Sequence, residues 1–442
     1  MSNTLQTKTA LKDWFKTGDK PTESEFDDLI TSLVLEGGNT GSTAHVVQTG
    51  QSSHANDALA LGAEGVFASG NLTTGTGGAG VFSQGSIAKC SGFNGAFAQG
   101  KNTISIGSDG VLSQGYAAES FGNAGLFTQG RGAYSSGYYG LFSQGYSSRS
   151  IGNVGVFAHG KTVSAYGSMG VFAQGSYTTS IGSCGVFAQG TNATALGSTG
   201  VFAQGYNVSA YGKGQGIFAQ GKKVSSSGNV GIFAQGSDAT ARGSCGVFAQ
   251  GVVAKAVSSD YTYGYGIFAQ GRNATAYGMM GVFAQGGGDL DVYATGTRGV
   301  FAQGYGVTSR GENGVFSQGN SVEHWANVGS FAQGRQVTAR GNMGVFAQGS
   351  KATAIGSNGV FAQGSNCSAM YDSSFAQGGS ATAFAVGAWQ IGVGVNNEAD
   401  SISIKSGLRL HGGVPSSPRN GDIWLNAGGT IVGQSDGSTV AL

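Results

Sequence analysis

Proline is nearly absent from this 442-residue chain, at 3 residues, and Asp, Glu, Lys and Arg together make up only 10% of it. Gly-X-Y triplets are missing too, which excludes a collagen helix despite 84 glycines. With a net charge of +1 the sequence shows no basic stripe, so no nucleic-acid partner is expected. It holds no run of about 18 apolar residues able to span a bilayer. The opening MSNTLQTKTALKDWF lacks the apolar stretch of a secretory signal peptide. The expectation is a chain made in a cytoplasm, without a membrane span.

Catalytic signatures are missing as well. No Gly-x-Ser-x-Gly, phosphate loop or zinc-ligand spacing occurs, and the five histidines are dispersed. Asp289 and Asp291 form the only close acidic pair of the repeat region, on a spacing that puts both on one face of a strand. A glycosidase needs two carboxylates across a groove, so no enzymatic activity, cofactor or metal is expected. Only four cysteines are present. Cys184 and Cys245 share one repeat position roughly 19 Å apart, at about 4.8 Å per repeat, and a disulfide needs Cα atoms within about 7 Å. All four cysteines read as free thiols in small core positions.

What is abundant is periodic. The hexapeptide Gly-Val-Phe-Ala-Gln-Gly, with close variants, recurs 21 times between Gly65 and Gly378, and 16 of the 20 intervals between its central residues are 15 residues. Hydrophobic content of 39%, with 25 Phe and 16 Tyr, is too high for a disordered glycine-rich linker. A short regular period predicts a solenoid, in which one rung cannot bury its apolar side chains alone.

Residues 185–199, GVFAQGTNATALGST, illustrate the rung. Two alternating segments, 186–189 and 193–196, are separated by glycines, which suit tight bends. The second segment keeps small or β-branched residues on one face (Ala193 and Ala195) and varies on the other, so it has one buried and one wet face. The first keeps Val and Ala on one face and Phe and Gln on the other. A strand constant on both faces is expected to be buried on both. The second cover is most simply another copy, packed around an axis lined by residues such as Phe172, Gln174, Phe187, Gln189, Phe202 and Gln204. Which face meets that axis stays open at this point. Stacked Gln amides can bond from rung to rung, as an amide ladder.

Outside the repeats, Phe26, Leu29, Ile30 and Leu33 form a helical stripe after Pro21, and Trp14 and Phe15 extend it. This stripe needs a partner and is the candidate anchor. The C-terminal part alternates at 401–410 and carries short strands near 422–425 and 430–432, a compact β-tip or cap. The expected organisation is an attachment segment with a helix at 1–36, a connector or imperfect rungs at 37–64, the shaft at 65–378 and the β-rich cap at 379–442. The period breaks at 252–265 and 286–298. Tyr261, Tyr263, Tyr265, Asp289, Asp291 and Tyr293 there, with Trp325 farther on, are candidate contacts to a host glycan, since aromatic faces and acceptors suit sugars. Glu323, His324 and Trp325 also depart from their rung's pattern, and Ala326 takes the place of its corner glycine.

The paired units VFAQG and ATALG resemble the heads of trimeric autotransporter adhesins of the YadA type, across residues 65–378. The resemblance implies a parallel β-roll and a homotrimer; the 15-residue period and the constant Phe and Gln depart from that family. Residues 9–35 are similar to the N-terminal segment of bacteriophage tail and virion fibres. The C-terminal PRNGDIWL stretch resembles a hairpin common at fibre ends. Together these imply an all-β homotrimeric phage fibre of the tail, collar or head. Its N-terminus would sit on a phage structural protein of the virion, and it would aid adsorption to a host surface glycan or protein. A bacterial cell-surface adhesin is the alternative, and a polysaccharide-degrading tailspike a third reading.

Overall fold

The computed structural model describes residues 43–47, 52–258, 264–288, 290–370 and 374–378, scattered residues at 380–395, and 423–425, 431–435 and 438–441. The anchor residues Trp14, Phe15, Phe26, Leu29, Ile30 and Leu33 lie outside them, as do Tyr261, Tyr263 and Asp289. The fold is an all-β parallel solenoid of about 21 turns, mostly 15 residues each, with no helix among the described residues. Its chain divides into two compact units, 1–228 and 229–442.

The strand Cys184–Gly197 shows how a rung is built. Val186, Ala188, Ala193 and Ala195 are buried at 1% exposure or less, while Phe187 and Gln189 are half-buried. Val and Ala of the first segment therefore meet the small residues of the second inside the roll. The facing Ala side chains hold the two segments too close for a phenyl ring, so Phe and Gln take the outer face. Gly185 has φ +61°, a left-handed corner that a side chain would strain. A Cβ on Gly190 would overlap the carbonyl oxygen of Gly175 in the preceding rung, so that bend closes only on glycine. At the third corner a Cβ on Gly197 would stand 2.8 Å from a methyl of Val186 and one of Val201.

In the first unit the rungs stack in register, Val171 on Val186 on Val201 and Phe172 on Phe187 on Phe202. Pairing reaches back to Thr43–Val47, which lies parallel to Asp57–Leu61, and Ser52–His54 pairs with Phe67–Ser69. Among the described residues parallel pairing thus begins at Thr43. Between Ser113 and Ser150 the core carries hydroxyls where other rungs carry Ala. Ser120, Ser135 and Ser150 each donate to the carbonyl of the next rung's Phe, which satisfies them inside.

The second unit keeps the same register through its irregular intervals. Phe248 pairs with Phe268 across 20 residues and Phe283 with Phe301 across 18. The first segments on either side of these two intervals stay aligned. Part of one insertion, Asp291–Thr295, is itself a strand paired with Thr275–Tyr277 and Gly306–Arg310. Three antiparallel strands, Ile423–Leu425, Ile431–Ser435 and Ser438–Ala441, form a small sheet; the alternating stretch 401–410 lies outside the described residues.

The cysteines need a correction. All four are unbridged, but only Cys90 and Cys367 are core residues; Cys184 is exposed and Cys245 half-buried. The position those two share precedes the left-handed corner glycine, where the chain turns outward.

Candidate functional site

Two faces stand out. The first is the outer side of each rung's first segment. In the first unit the rings from Phe127 to Phe218 stack at centroid distances of 4.6–4.9 Å. In the second the stack from Phe233 to Phe375 runs at 4.6–5.0 Å. Beside it Gln174 Nε2 donates to Gln189 Oε1 at 3.2 Å, and Gln189 to Gln204 at 3.3 Å. In the second unit the amide ladder is unbroken from Gln235 to Gln363, at 3.2–3.5 Å per bond. Phe172, Gln174, Phe187, Gln189, Phe202 and Gln204 are all half-buried in the single chain. Each is shielded only by its neighbours in the column. Such a face is flat, apolar down one column and amide down the next.

The second face centres on Trp325. His324, one residue before it, takes a core position that alanine or serine fills in most other rungs, and it is fully buried. Its Nδ1 lies 2.8 Å from Ser309 Oγ and 2.6 Å from Ser317 Oγ, while Nε2 is buried with no partner. Burial holds the imidazole at a pKa of about 4, so it is neutral near pH 7. Ser330 replaces the Val of other rungs and buries an unpartnered hydroxyl.

Trp325 is 41% exposed and donates from Nε1 to Glu323 Oε1 at 3.1 Å. Arg310 and Arg340, at the same position in the preceding and following rungs, lie 5.5 and 5.0 Å from its ring. A guanidinium thus covers each face of the indole. Trp325 therefore offers a sugar its edge, not an open stacking face.

Of the other glycan candidates that lie among the described residues, Tyr265 and Tyr293 stand in different columns. Tyr265 stands three residues before Phe268, next to the corner glycine, and is 40% exposed. Tyr293 pairs with Thr308 on the second segment, where its hydroxyl donates to Asp291 Oδ2 at 3.1 Å. That hydrogen bond, with burial, holds the Tyr293 phenol above its ordinary pKa.

One column escaped the sequence reading. Tyr116, Arg131, Tyr146 and Lys161 stand four residues past Leu112, Phe127, Phe142 and Phe157, successive places of the ring column. Arg131 lies 5.3 Å from the Tyr116 ring and 5.6 Å from Tyr146, and Lys161 lies 5.0 Å from Tyr146. Reading the sequence at every fifteenth residue would have found it. Cation and ring thus alternate along an outer corner of these rungs.

Among the described residues no three His, Cys, Asp or Glu side chains converge on a possible metal site. No helix among them is long and apolar enough to cross a membrane. No family model, curated protein or solved structure matches this chain.

Proposed function

We propose that the chain is the shaft of a homotrimeric bacteriophage fibre. It attaches to the virion through its N-terminal segment and aids adsorption to the host surface. The observation that carries the reading is the half-buried Phe stack with its amide ladder, repeated on rung after rung. A receptor touches a shaft at one height and asks nothing of the other rungs. A partner that needs the same residues at every rung must share the rung spacing, and another copy of this chain does. Burying the phenyl column against copies adds apolar burial at about 25 cal/mol per Å², and closed symmetry leaves no copy with an open face.

Light scattering on the purified chain tests this. Three copies of the 44.2 kDa chain are expected, with elongated particles in electron micrographs. A monomer at micromolar concentration overturns the reading.

A further inference from the structure

We propose that the groove beside Trp325 binds a short acidic oligosaccharide, with sugar hydroxyls on the wall formed by Glu312, Asn327, Asn342 and Ser357 and a carboxylate on Arg340. The proposal deepens the adsorption reading and rests on it for the source of the ligand.

The repeat itself points to this place. Within two rungs Ser317 replaces Ala, His324 a small residue, Ala326 a corner Gly and Ser330 a Val. These changes bury a histidine whose Nε2 has no partner and a serine hydroxyl that has none. Unpartnered core hydroxyls recur elsewhere, at Ser53, Thr73, Thr103, Thr178 and Ser226, but among the described residues only this rung buries a histidine, and local departures from a consistent pattern collect at functional sites.

The groove follows the last column of the second segment, the corner column after it and the column beyond that corner. Gly311, Ala326, Gly341 and Gly356 make its floor, and Trp325, Arg340 and Ile355 one wall. Glu312, Asn327, Asn342 and Ser357 make the other. This open groove has a volume of about 570 Å³, within the range of about 300–1,000 Å³ that small ligands occupy. Each rung adds one polar group to the second wall, at about 4.8 Å per rung, a spacing on the scale of one pyranose ring in a linear glycan. Asn342 Nδ2 donates to Asn327 Oδ1 at 2.7 Å. That bond leaves the Asn327 amide hydrogens and the Asn342 oxygen for a ligand, with the Glu312 carboxylate and Ser357 hydroxyl beside them. Such alternating donors and acceptors match vicinal hydroxyls.

Arg340 supplies the preference for an acid. It forms no ion pair among the described residues, and its Nε is buried without a hydrogen-bond partner. The stack on Trp325 holds the guanidinium plane, and a held fork suits a carboxylate better than a flexible ammonium does. Trp325 therefore orders the cations instead of stacking on sugar. A nucleic-acid strand fits poorly, because no aromatic face is free for a base.

The test is an array of linear oligosaccharides, acidic and neutral, probed with the full chain and followed by titration of the best binder. Binding is expected only to carboxylate-bearing glycans. Arg340→Gln should weaken it about tenfold or more, and Arg340→Lys, which keeps the charge and loses the fork, by less. Asn327→Ala should also weaken the acidic binder, and the remote Arg149→Gln should change nothing. Circular dichroism and melting of each variant check that the rungs are intact. Absence of any acidic binder, equal binding of neutral glycans, or undiminished binding by Arg340→Gln overturns the proposal. Light scattering on the same samples separates the two readings. A trimer that ignores acidic glycans removes the groove and leaves the fibre; a monomer that binds them does the reverse.

Discussion

The rings of Phe172 and Phe187 lie 4.6 Å apart at their centroids and within 2° of parallel. Neither is buried by its own chain alone. If copies cover this column, replacing Phe172, Phe187 and Phe202 together with Ser should convert trimers to monomers, read as a threefold fall in mass by light scattering. Phe187→Leu alone should remain trimeric, since Leu112 already occupies a place in the column. Trimers that survive the triple substitution would show that the axis lies elsewhere.

The Ala326 corner depends on Ser330. A Cβ at the equivalent Gly197 would crowd methyl groups of the Val in its own and in the next rung, and at Ala326 the next rung offers Ser330 instead. Ser330→Val should therefore cost about 1–3 kcal/mol by overpacking. Adding Ala326→Gly should recover that loss, since it removes the crowding methyl. Chemical denaturation of both single variants and the double gives the coupling, and simple additivity would refute the account.

His324 makes its rung acid-sensitive. Its pKa is about 4 in the fold against 6.5 in a model peptide. The unfolded chain takes up the proton first as pH falls, so stability present above pH 6.5 is lost as pH drops toward 4. The loss approaches roughly 3 kcal/mol at the acid end. Hydrogen-exchange protection of residues 309–332, corrected for intrinsic rates, should fall between pH 7 and 4.5 and should do so much less in His324→Ala. An unchanged pH dependence in that variant would assign the effect to other groups.

The cysteines should separate by reactivity. Burial pushes the Cys90 thiol up to about 12 and raises Cys367 as well, while Cys184 is exposed. A brief alkylation near pH 8 should label Cys184 first and Cys90 and Cys367 only after unfolding, as read by peptide mass spectrometry. Early labelling of Cys90 would contradict the closed core.

Removing residues 1–35 should leave the circular dichroism and melting of the rungs unchanged and abolish incorporation into virions in a complementation assay. Normal incorporation of the truncated chain would displace the anchor from this segment.

Much of the fold was legible because glycine and the hexapeptide act locally. Gly185 needs its left-handed corner and Gly190 its close approach whatever surrounds them, so the period, the two segments and the β-class follow from spacing alone. The inner face of the second segment was equally plain, since only Ala193 and Ala195 and their counterparts stay small. The polarity of the first segment was not. Val and Ala alternate with Phe and Gln with equal constancy, and constancy on both faces does not say which one is inside. Tertiary packing decided it, because facing Ala side chains leave no width for a ring, while outside the roll rings can stack on the rung spacing. The same holds for Trp325. Its sandwich between Arg310 and Arg340 needs residues 15 positions away on either side. Only the stacking of rungs brings those three together.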